Sequence, residues 1–279
     1  YHLLAMAIEA ATGQRMADLY QERIFTPLGM EDSFLLEGGP EPGQIVNGYY
    51  TEEGETSNTT TWNASQGWAA GGIVSTAEDM ARYIEGLSAG ELVQAPGSLE
   101  QMLDFGDGLV ALYTGYGLGV GSYAGYGDLV GYGHGGQTAG FQSIWAVFPE
   151  QEVSLILLTN SASCGVTTEF MLPLAMNSQL LTSGGMAVED GSDTGAESAD
   201  AAQPAPLPDE IVAQLDEFLG AQLYTEGMNP QSGAPGVILL VDTPDGRYFN
   251  AAGVASLEDG TPIQVDDRVE IGSNTKSFT

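Results

Sequence analysis

Apolar positions at helical spacing predict several helices in the first third of the chain. Residues 1–30 show this spacing on both sides of Gly13, which favours two helices followed by a turn. Residues 75–78 read Ser-Thr-Ala-Glu, a capping box whose side chains satisfy the first free amides of a helix. We therefore predict a helix from this box to about Leu87, with one apolar face formed by Met80, Tyr83, Ile84 and Leu87.

Apolar runs bounded by turn residues predict antiparallel strands. The runs Phe141–Phe148 and Val153–Thr159 are joined by a short Pro-Glu-Gln-Glu connection, which favours a hairpin. A second pair, Val237–Val241 and Arg247–Ala252, is joined by an Asp-Gly turn. A shorter strand is predicted at Val269–Ile271.

Composition divides the chain into three segments. Residues 182–206 contain Gly, Ser, Ala, Asp, Glu and Pro with almost no large apolar side chain, which is typical of a disordered acidic linker. Amphipathic helices are predicted on either side of it, at 168–181 and 208–224. We therefore treat residues 1–181 and 207–279 as two folded parts.

Charge and cysteine content exclude several classes of function. The chain has 38 acidic and 6 basic residues, a net charge of −32, whereas nucleic acid and anionic membranes need a positive surface. No apolar run approaches the roughly 18 residues of a membrane span. Cys164 is the only cysteine, so no intrachain disulfide forms, and His2 and His134 are too few for a metal centre without several carboxylates. The acidity fits a salt-adapted or extracellular surface, or simply a soluble one.

The only lysine, Lys276, follows Ser273 by three positions. On a helix these two side chains share a face, so the amine can take the proton of the hydroxyl and activate it as a nucleophile. A base role requires burial to lower the pKa of Lys276, whereas the acidic protein raises it. The alternatives are an N-cap role for Ser273 and a solvated surface position for Lys276.

Five runs of sequence together resemble the serine β-lactamase-like superfamily, in the branch of class C β-lactamases, D-Ala-D-Ala carboxypeptidases and related esterases. The most specific are Glu-Ile-Gly-Ser-Asn-Thr-Lys-Ser-Phe-Thr at 270–279 and Tyr-Gly-His-Gly-Gly-Gln-Thr-Ala-Gly-Phe at 132–141. Supporting runs lie at 1–13, 27–30 and 69–80. The resemblance covers nearly everything outside the predicted linker.

The two parts occur in an order that differs from this family. Residues 1–181 resemble the C-terminal part of such a domain and 207–279 its N-terminal part. The chain is therefore either a window across a tandem array or a circular permutant, and either way the parts can complete one fold. The resemblance implies an α/β (α+β) fold, with a five-stranded antiparallel sheet flanked by helices and the helical subdomain largely absent. The Tyr-x-Asn motif of that subdomain is missing, and Tyr1 matches a tyrosine a few residues after the catalytic one.

The resemblance implies a serine hydrolase that forms an acyl-enzyme on an amide, lactam or ester carbonyl, with Ser273 as nucleophile and Lys276 as base. The amides of Ser273 and Gln137 would form the oxyanion hole. His134 would contact the substrate or the acid–base network, or else is a structural strand-end residue. The predicted substrate and oxyanion residues are His134, Gly135, Gly136 and Gln137, with the two glycines leaving room for substrate against the backbone.

The resemblance implies neither a metal nor an organic cofactor. The expected partner is a small-molecule or peptide-like substrate, together with the missing helical segment of a parent chain, and the expected location is extracellular or periplasmic. The alternative function is a catalytically silent module of the same fold that binds peptides or wall fragments. Because the Tyr-x-Asn motif is absent, this chain is expected to be weakly active or inactive, although its parent is expected to be an enzyme.

Overall fold

The computed structural model describes residues 1–93, 95–110, 113–123, 130–164, 207–223 and 233–279. The helix predicted at 168–181 and the linker predicted at 182–206 lie outside these ranges. Within them, the α-helices are α1 (His2–Thr12), α2 (Met16–Tyr20), α3 (Thr26–Leu28), α4 (Trp68–Gly71), α5 (Ala77–Ser88), α6 (Ser98–Met102) and α7 (Asp209–Ala221). A π-helix spans Gln21–Phe25, and 3₁₀ helices span Ala64–Gln66 and Gly272–Phe278.

The strands of the described residues form three antiparallel sheets. They are β1 (Phe34–Leu35), β2 (Tyr49–Glu52), β3 (Glu55–Asn58), β4 (Ile73–Ser75), β5 (Gly106–Val110), β6 (Tyr113–Tyr116), β7 (Gly121–Ser122), β8 (Tyr132–Gln137), β9 (Gln142–Phe148), β10 (Val153–Thr159), β11 (Gly236–Thr243), β12 (Gly246–Gly253) and β13 (Val269–Glu270). The main sheet has the order β12-β11-β10-β9-β8-β7-β6-β5, a small sheet has the order β1-β4-β13, and β2 pairs with β3.

The main sheet confirms the α/β prediction but has eight strands where five were expected. The expected hairpins appear as β9–β10 and β11–β12. The additional strands β5, β6 and β7 come from a glycine-rich segment, residues 106–122. Glycine is unfavourable in strands, so this segment gives little local strand signal and depends on pairing with β8.

Strand β10 pairs with β11 and thereby joins, in one sheet, the part of the chain before the predicted linker and the part after it. Alternate side chains of these strands point to opposite faces. Ile156 and Leu240 lie in the core that includes Met80 of α5, whereas Leu157 and Leu239 lie in the core that includes Leu215 of α7. The sheet is therefore covered by α5 on one face and by α7 on the other. Full burial of each such side chain stabilises the fold by about 1.5–3 kcal/mol.

Helix α5 begins one residue later than the capping box at 75–78 predicts, because Thr76 and not Ser75 caps it. The side chain of Thr76 accepts a hydrogen bond from the amide of Asp79, so Thr76 is the N-cap residue. The Asp79 carboxylate in turn accepts from the Ser33 hydroxyl and the Asp32 amide, and burial raises its pKa. This contact fixes the segment before β1 to the start of α5.

The small sheet leads directly into the segment that carries Ser273. Strand β13 pairs with β4, and the chain then enters the Gly272–Phe278 helix. The sequence predicts an α-helix here, but the structure shows a 3₁₀ helix. In a 3₁₀ helix, side chains three positions apart are nearly eclipsed, which brings Ser273 and Lys276 into closer register than an α-helix does.

Candidate active site

Ser273 and Lys276 are joined by a hydrogen bond between the lysine Nζ and the serine Oγ. Lys276 Nζ also donates to the carbonyl oxygen of Ala70, at 3.2 Å, and Ala70 belongs to α4. Two contacts therefore hold the amine in place beside the hydroxyl. Both side chains are half-buried, so the pair is shielded from solvent yet open to a ligand.

Burial lowers the pKa of Lys276 below its usual range, because the charged ammonium loses solvation. A lysine can act as a base only if its pKa is lowered in this way. A lowered pKa increases the fraction of neutral amine, and only the neutral amine can accept the proton of Ser273. The arrangement can thus generate a serine nucleophile.

Gly272 allows the end of β8 to lie directly against the Ser273 turn. Its φ angle is 53°, a left-handed conformation that favours glycine. A Cβ atom at this position would lie 2.6 Å from the amide nitrogen of Gln137. The backbone of Gln137 therefore approaches the residue before Ser273 so closely that only a glycine fits there.

Gly136 has a different role from the one that the sequence suggests. A Cβ atom at Gly136 would collide with the carbonyl oxygen of Ile271 and would lie 2.6 Å from the Ser143 Oγ. Ser143 donates to that same carbonyl at 2.7 Å and accepts from the Asn274 side chain at 2.8 Å. The glycine is needed for backbone packing against the Ser273 segment, and the space beside it is filled by protein.

A cleft of about 730 Å³ opens beside Ser273. Its walls come from the Ser273 segment, the β8–β9 connection and residues 59–71. Of the predicted site residues, Ser273, Lys276 and Gln137 line this cleft, whereas His134, Gly135 and Gly136 are not among its lining residues. The lining residues that bear on the chemistry are Trp62, Asn63, Gln137, Phe141, Glu270, Ser273 and Lys276.

His134 is buried, with 5% of its surface exposed, and both ring nitrogens have protein partners. Nδ1 lies 2.5 Å from the carbonyl oxygen of Gly135, and Nε2 lies 2.6 Å from the hydroxyl of Tyr116. Burial, together with the charge of Lys276, lowers the pKa of His134 to about 4. The ring is therefore neutral at pH 7. Because a carbonyl can only accept, Nδ1 carries the proton and Nε2 accepts from Tyr116.

Tyr116 links His134 to the chain start. Burial raises the pKa of Tyr116 well above its usual range, and the neighbouring Tyr1 hydroxyl raises it further. The Lys276 Nζ lies 5.9 Å from the centre of the Tyr1 ring. A second tyrosine, Tyr113, is hydrogen-bonded to the amide of Gly135 at 2.7 Å. No role for Tyr113 or Tyr116 was predictable from the sequence, because their contacts with β8 depend on the pairing of the strands.

Glu270 is a further cleft residue that sequence reasoning did not single out. It is the last residue of β13, only 8% of its surface is exposed, and it lines the cleft with Ser273. Burial raises the pKa of its carboxyl group, and the Thr138 hydroxyl partly offsets this effect. The sequence shows that Glu270 lies three residues before Ser273. The orientation of the Glu270 side chain, however, depends on strand pairing in the small sheet.

The described ranges contain neither a metal-binding cluster nor a membrane-spanning helix. No group of three or more His, Cys, Asp or Glu side chains in these residues could hold a metal ion. The helices in the same part of the chain are too short or too polar to cross a membrane.

The family of the chain is shown by a match over more than half of its length. Residues 1–171 match the family model described as β-lactamase, and the chain belongs to this family. The sequence-based recognition of the serine β-lactamase-like superfamily is thereby confirmed.

Three relatives illustrate the similarity. Penicillin-binding protein 4 of Amycolatopsis lactamdurans is 28% identical over 187 residues, which are 62% of this chain and 48% of that protein. The structure of D-amino acid amidase from Ochrobactrum anthropi SV3 complexed with L-phenylalanine amide is 27% identical, with a TM-score of 0.56 over 64% of this chain and 56% of that one. An octameric penicillin-binding protein homologue from Pyrococcus abyssi shares the fold over 93% of this chain and 55% of its own, with 18% identity and a TM-score of 0.53. The chain therefore spans about half the length of these relatives.

Proposed function

We propose that the protein to which this chain belongs is a serine hydrolase that acts through an acyl-enzyme on Ser273. The hydrogen bond between Lys276 Nζ and Ser273 Oγ, inside a cleft of about 730 Å³, carries this proposal. The lowered pKa of Lys276 supports it, since a general base must be neutral during part of the cycle. The family of the chain and its amidase and penicillin-binding relatives support hydrolysis.

The proposed reaction has two halves. The Ser273 oxygen attacks the carbonyl carbon of an amide, lactam or ester while its proton passes to Lys276 Nζ. The tetrahedral intermediate collapses, the bond to the leaving nitrogen or oxygen breaks, and the leaving group takes the proton from Lys276. Water then attacks the ester on Ser273, which releases the carboxylic acid and restores the hydroxyl.

Negative charge on the carbonyl oxygen would be stabilised by backbone amides. The approach of Gln137 to Gly272 supports the pairing of the Gln137 and Ser273 amides as the oxyanion hole. His134 is proposed as a positioning residue, because its ring nitrogens are used by Gly135 and Tyr116. Its hydrogen bond with Tyr116 fixes the phenol beside Tyr1 and Lys276.

Covalent labelling tests this proposal. The chain is incubated with a fluorophosphonate and, separately, with a penicillin, and the modified peptide is located by mass spectrometry. We expect slow but detectable adducts on Ser273, because the chain is expected to be weakly active without the Tyr-x-Asn motif, and none on Ser273→Ala. Ser277→Ala should label at the wild-type rate, since Ser277 lies on the same turn but is bonded to the Asn274 carbonyl. A folded wild-type chain that reacts with neither reagent would contradict the proposal and support the silent binding module.

Location and partners stay predictions. The resemblance to penicillin-binding proteins favours an extracellular or periplasmic protein with a small-molecule or peptide-like substrate. The helical segment that relatives carry is proposed as a further partner of the two parts, whether they are joined by permutation or in tandem.

A further inference from the structure

Glu270 places a buried acid in the cleft that contains the nucleophile. Strand β13 pairs Glu270 with Val74, which holds the backbone in a fixed register just before Ser273. The carboxylate lines the same cleft as Ser273 and Lys276 and is more than nine-tenths buried. A ligand that occupies this cleft therefore shields Glu270 from its remaining solvent.

Within the described residues, Glu270 forms no ion pair. The arginines in ion pairs are bound to other acids, and Lys276 Nζ is bonded to Ser273 and Ala70. A buried carboxylate without a cation is costly, and a cationic ligand would remove most of that cost. The raised pKa of Glu270 agrees with a carboxylate that lacks such a partner.

The charges of the cleft favour one kind of substrate. Lys276 is the only basic residue among the lining residues, and its amine is engaged with the nucleophile. A substrate carboxylate would meet no free cation there, and it would be repelled by Glu270. A substrate ammonium would meet an unpaired carboxylate.

We propose that Glu270 binds the free amino group of the substrate, so that the cleft accepts amides or esters of amino acids whose amine is unblocked. This inference rests on the proposed serine hydrolase and names its substrate class. In an α-aminoacyl group, one carbon atom separates the amine from the reacting carbonyl. Because Glu270 and Ser273 line the same cleft, an ammonium held by Glu270 keeps that carbonyl in the cleft that contains Ser273.

Calorimetric titration of the 279-residue chain tests the inference. The probes are phenylalanine amide, N-acetylphenylalanine amide and N-acetylphenylalanine, which carry a positive charge, no charge and a negative charge. We expect phenylalanine amide to bind about 10- to 100-fold more tightly than its acetylated form, because a charge-assisted hydrogen bond is lost on acetylation. Glu270→Gln should abolish this preference, whereas Glu217→Gln, which removes a charge from the exposed side of α7, should keep it.

The outcomes separate this inference from the proposed function. Equal affinity for the two amides, or tighter binding of N-acetylphenylalanine, would overturn the role of Glu270, and the wild-type comparison decides this even if the Glu270→Gln variant does not fold. Fluorophosphonate labelling is measured in parallel. If the chain is labelled but shows no preference for the free amine, the proposed hydrolase stands and the role of Glu270 is overturned. If the chain shows the preference but is not labelled, the amine-binding site stands and the proposed hydrolase is overturned.

Discussion

The Nε2 atom of His134 lies 2.6 Å from the hydroxyl of Tyr116, and the neutral ring leaves only one direction for this hydrogen bond. Tyr116 donates and His134 accepts, so the phenol proton lies between the two residues. A residue of β6 and a residue of β8, which β7 separates in the main sheet, thus fix each other's protonation state.

Replacement of Tyr116 by Phe should leave a buried acceptor on His134 without its donor. We expect the free energy of unfolding to fall by about 1–3 kcal/mol and the ¹⁵N resonance of His134 Nε2 to shift as the hydrogen bond is lost. NMR and denaturant titration measure the two effects. Tyr132→Phe is the matched control, because its hydroxyl lies 3.0 Å from the Ser88 hydroxyl. An unchanged Nε2 resonance in Tyr116→Phe would show that the bond is absent in solution.

The pKa of His134 makes stability depend on pH. It is about 4 in the folded chain and about 6.5 when unfolded, so between these values the unfolded state binds more protons. Stability should therefore fall as the pH is lowered from about 6.5 to 4, by up to about 3 kcal/mol from this residue. Urea titrations across this range should show a smaller loss for His134→Gln than for the wild type. His2→Gln, which removes an exposed ring, should keep the wild-type slope.

Replacement of Lys276 by Arg should keep a positive charge but remove the base, since arginine stays protonated. We expect the rate of fluorophosphonate labelling to fall by about 10²–10⁴-fold. In the wild type, the rate should rise with pH as Lys276 loses its proton, at a pH below the usual lysine range. Arg15→Gln changes an exposed cation elsewhere and should label normally. A pH-independent wild-type rate would exclude Lys276 as the base.

Gly272→Ala should displace the nucleophile, because the new Cβ would lie 2.6 Å from the Gln137 amide nitrogen. We expect a labelling rate at least about 10-fold lower, since small displacements of a reacting group are costly. Gly13→Ala is the control: it also has a positive φ, 71°, but no neighbour within 4 Å. It should lose only about 1–2 kcal/mol of stability for the left-handed backbone and label normally. Equal labelling of both variants would show that the contact with Gln137 does not position Ser273.

Local signals predicted the elements that depend on local interactions. The run at 75–78 predicted the start of α5 to within one residue, because an N-cap acts within a single turn, although the cap is Thr76 and not Ser75. The β9–β10 hairpin forms where the connection is short and the flanking runs are apolar. The Ser273–Lys276 contact was predictable for the same reason, because both residues belong to one turn.

The remaining features depend on contacts between distant segments. Tyr116 meets His134 only because β7 places β6 two strands away from β8, and the glycine-rich segment gives no strong strand pattern. The burial of Glu270 depends on its pairing with Val74. The close packing at Gly136 depends on the carbonyl oxygen of Ile271. A glycine in a sequence can leave space for a ligand or for a neighbouring backbone, and only the three-dimensional contacts show which of the two occupies it.

The bond from Ser143 to the Ile271 carbonyl joins residues 128 positions apart, and that from Lys276 to Ala70 spans 206. Such contacts form only after a large entropic cost of chain closure has been met, which slows folding in proteins dominated by non-local pairs. We therefore expect the cleft to form late in folding. Recovery of Ser273 reactivity during refolding should lag behind helix formation, so that partly folded chains carry the nucleophile in an inactive form.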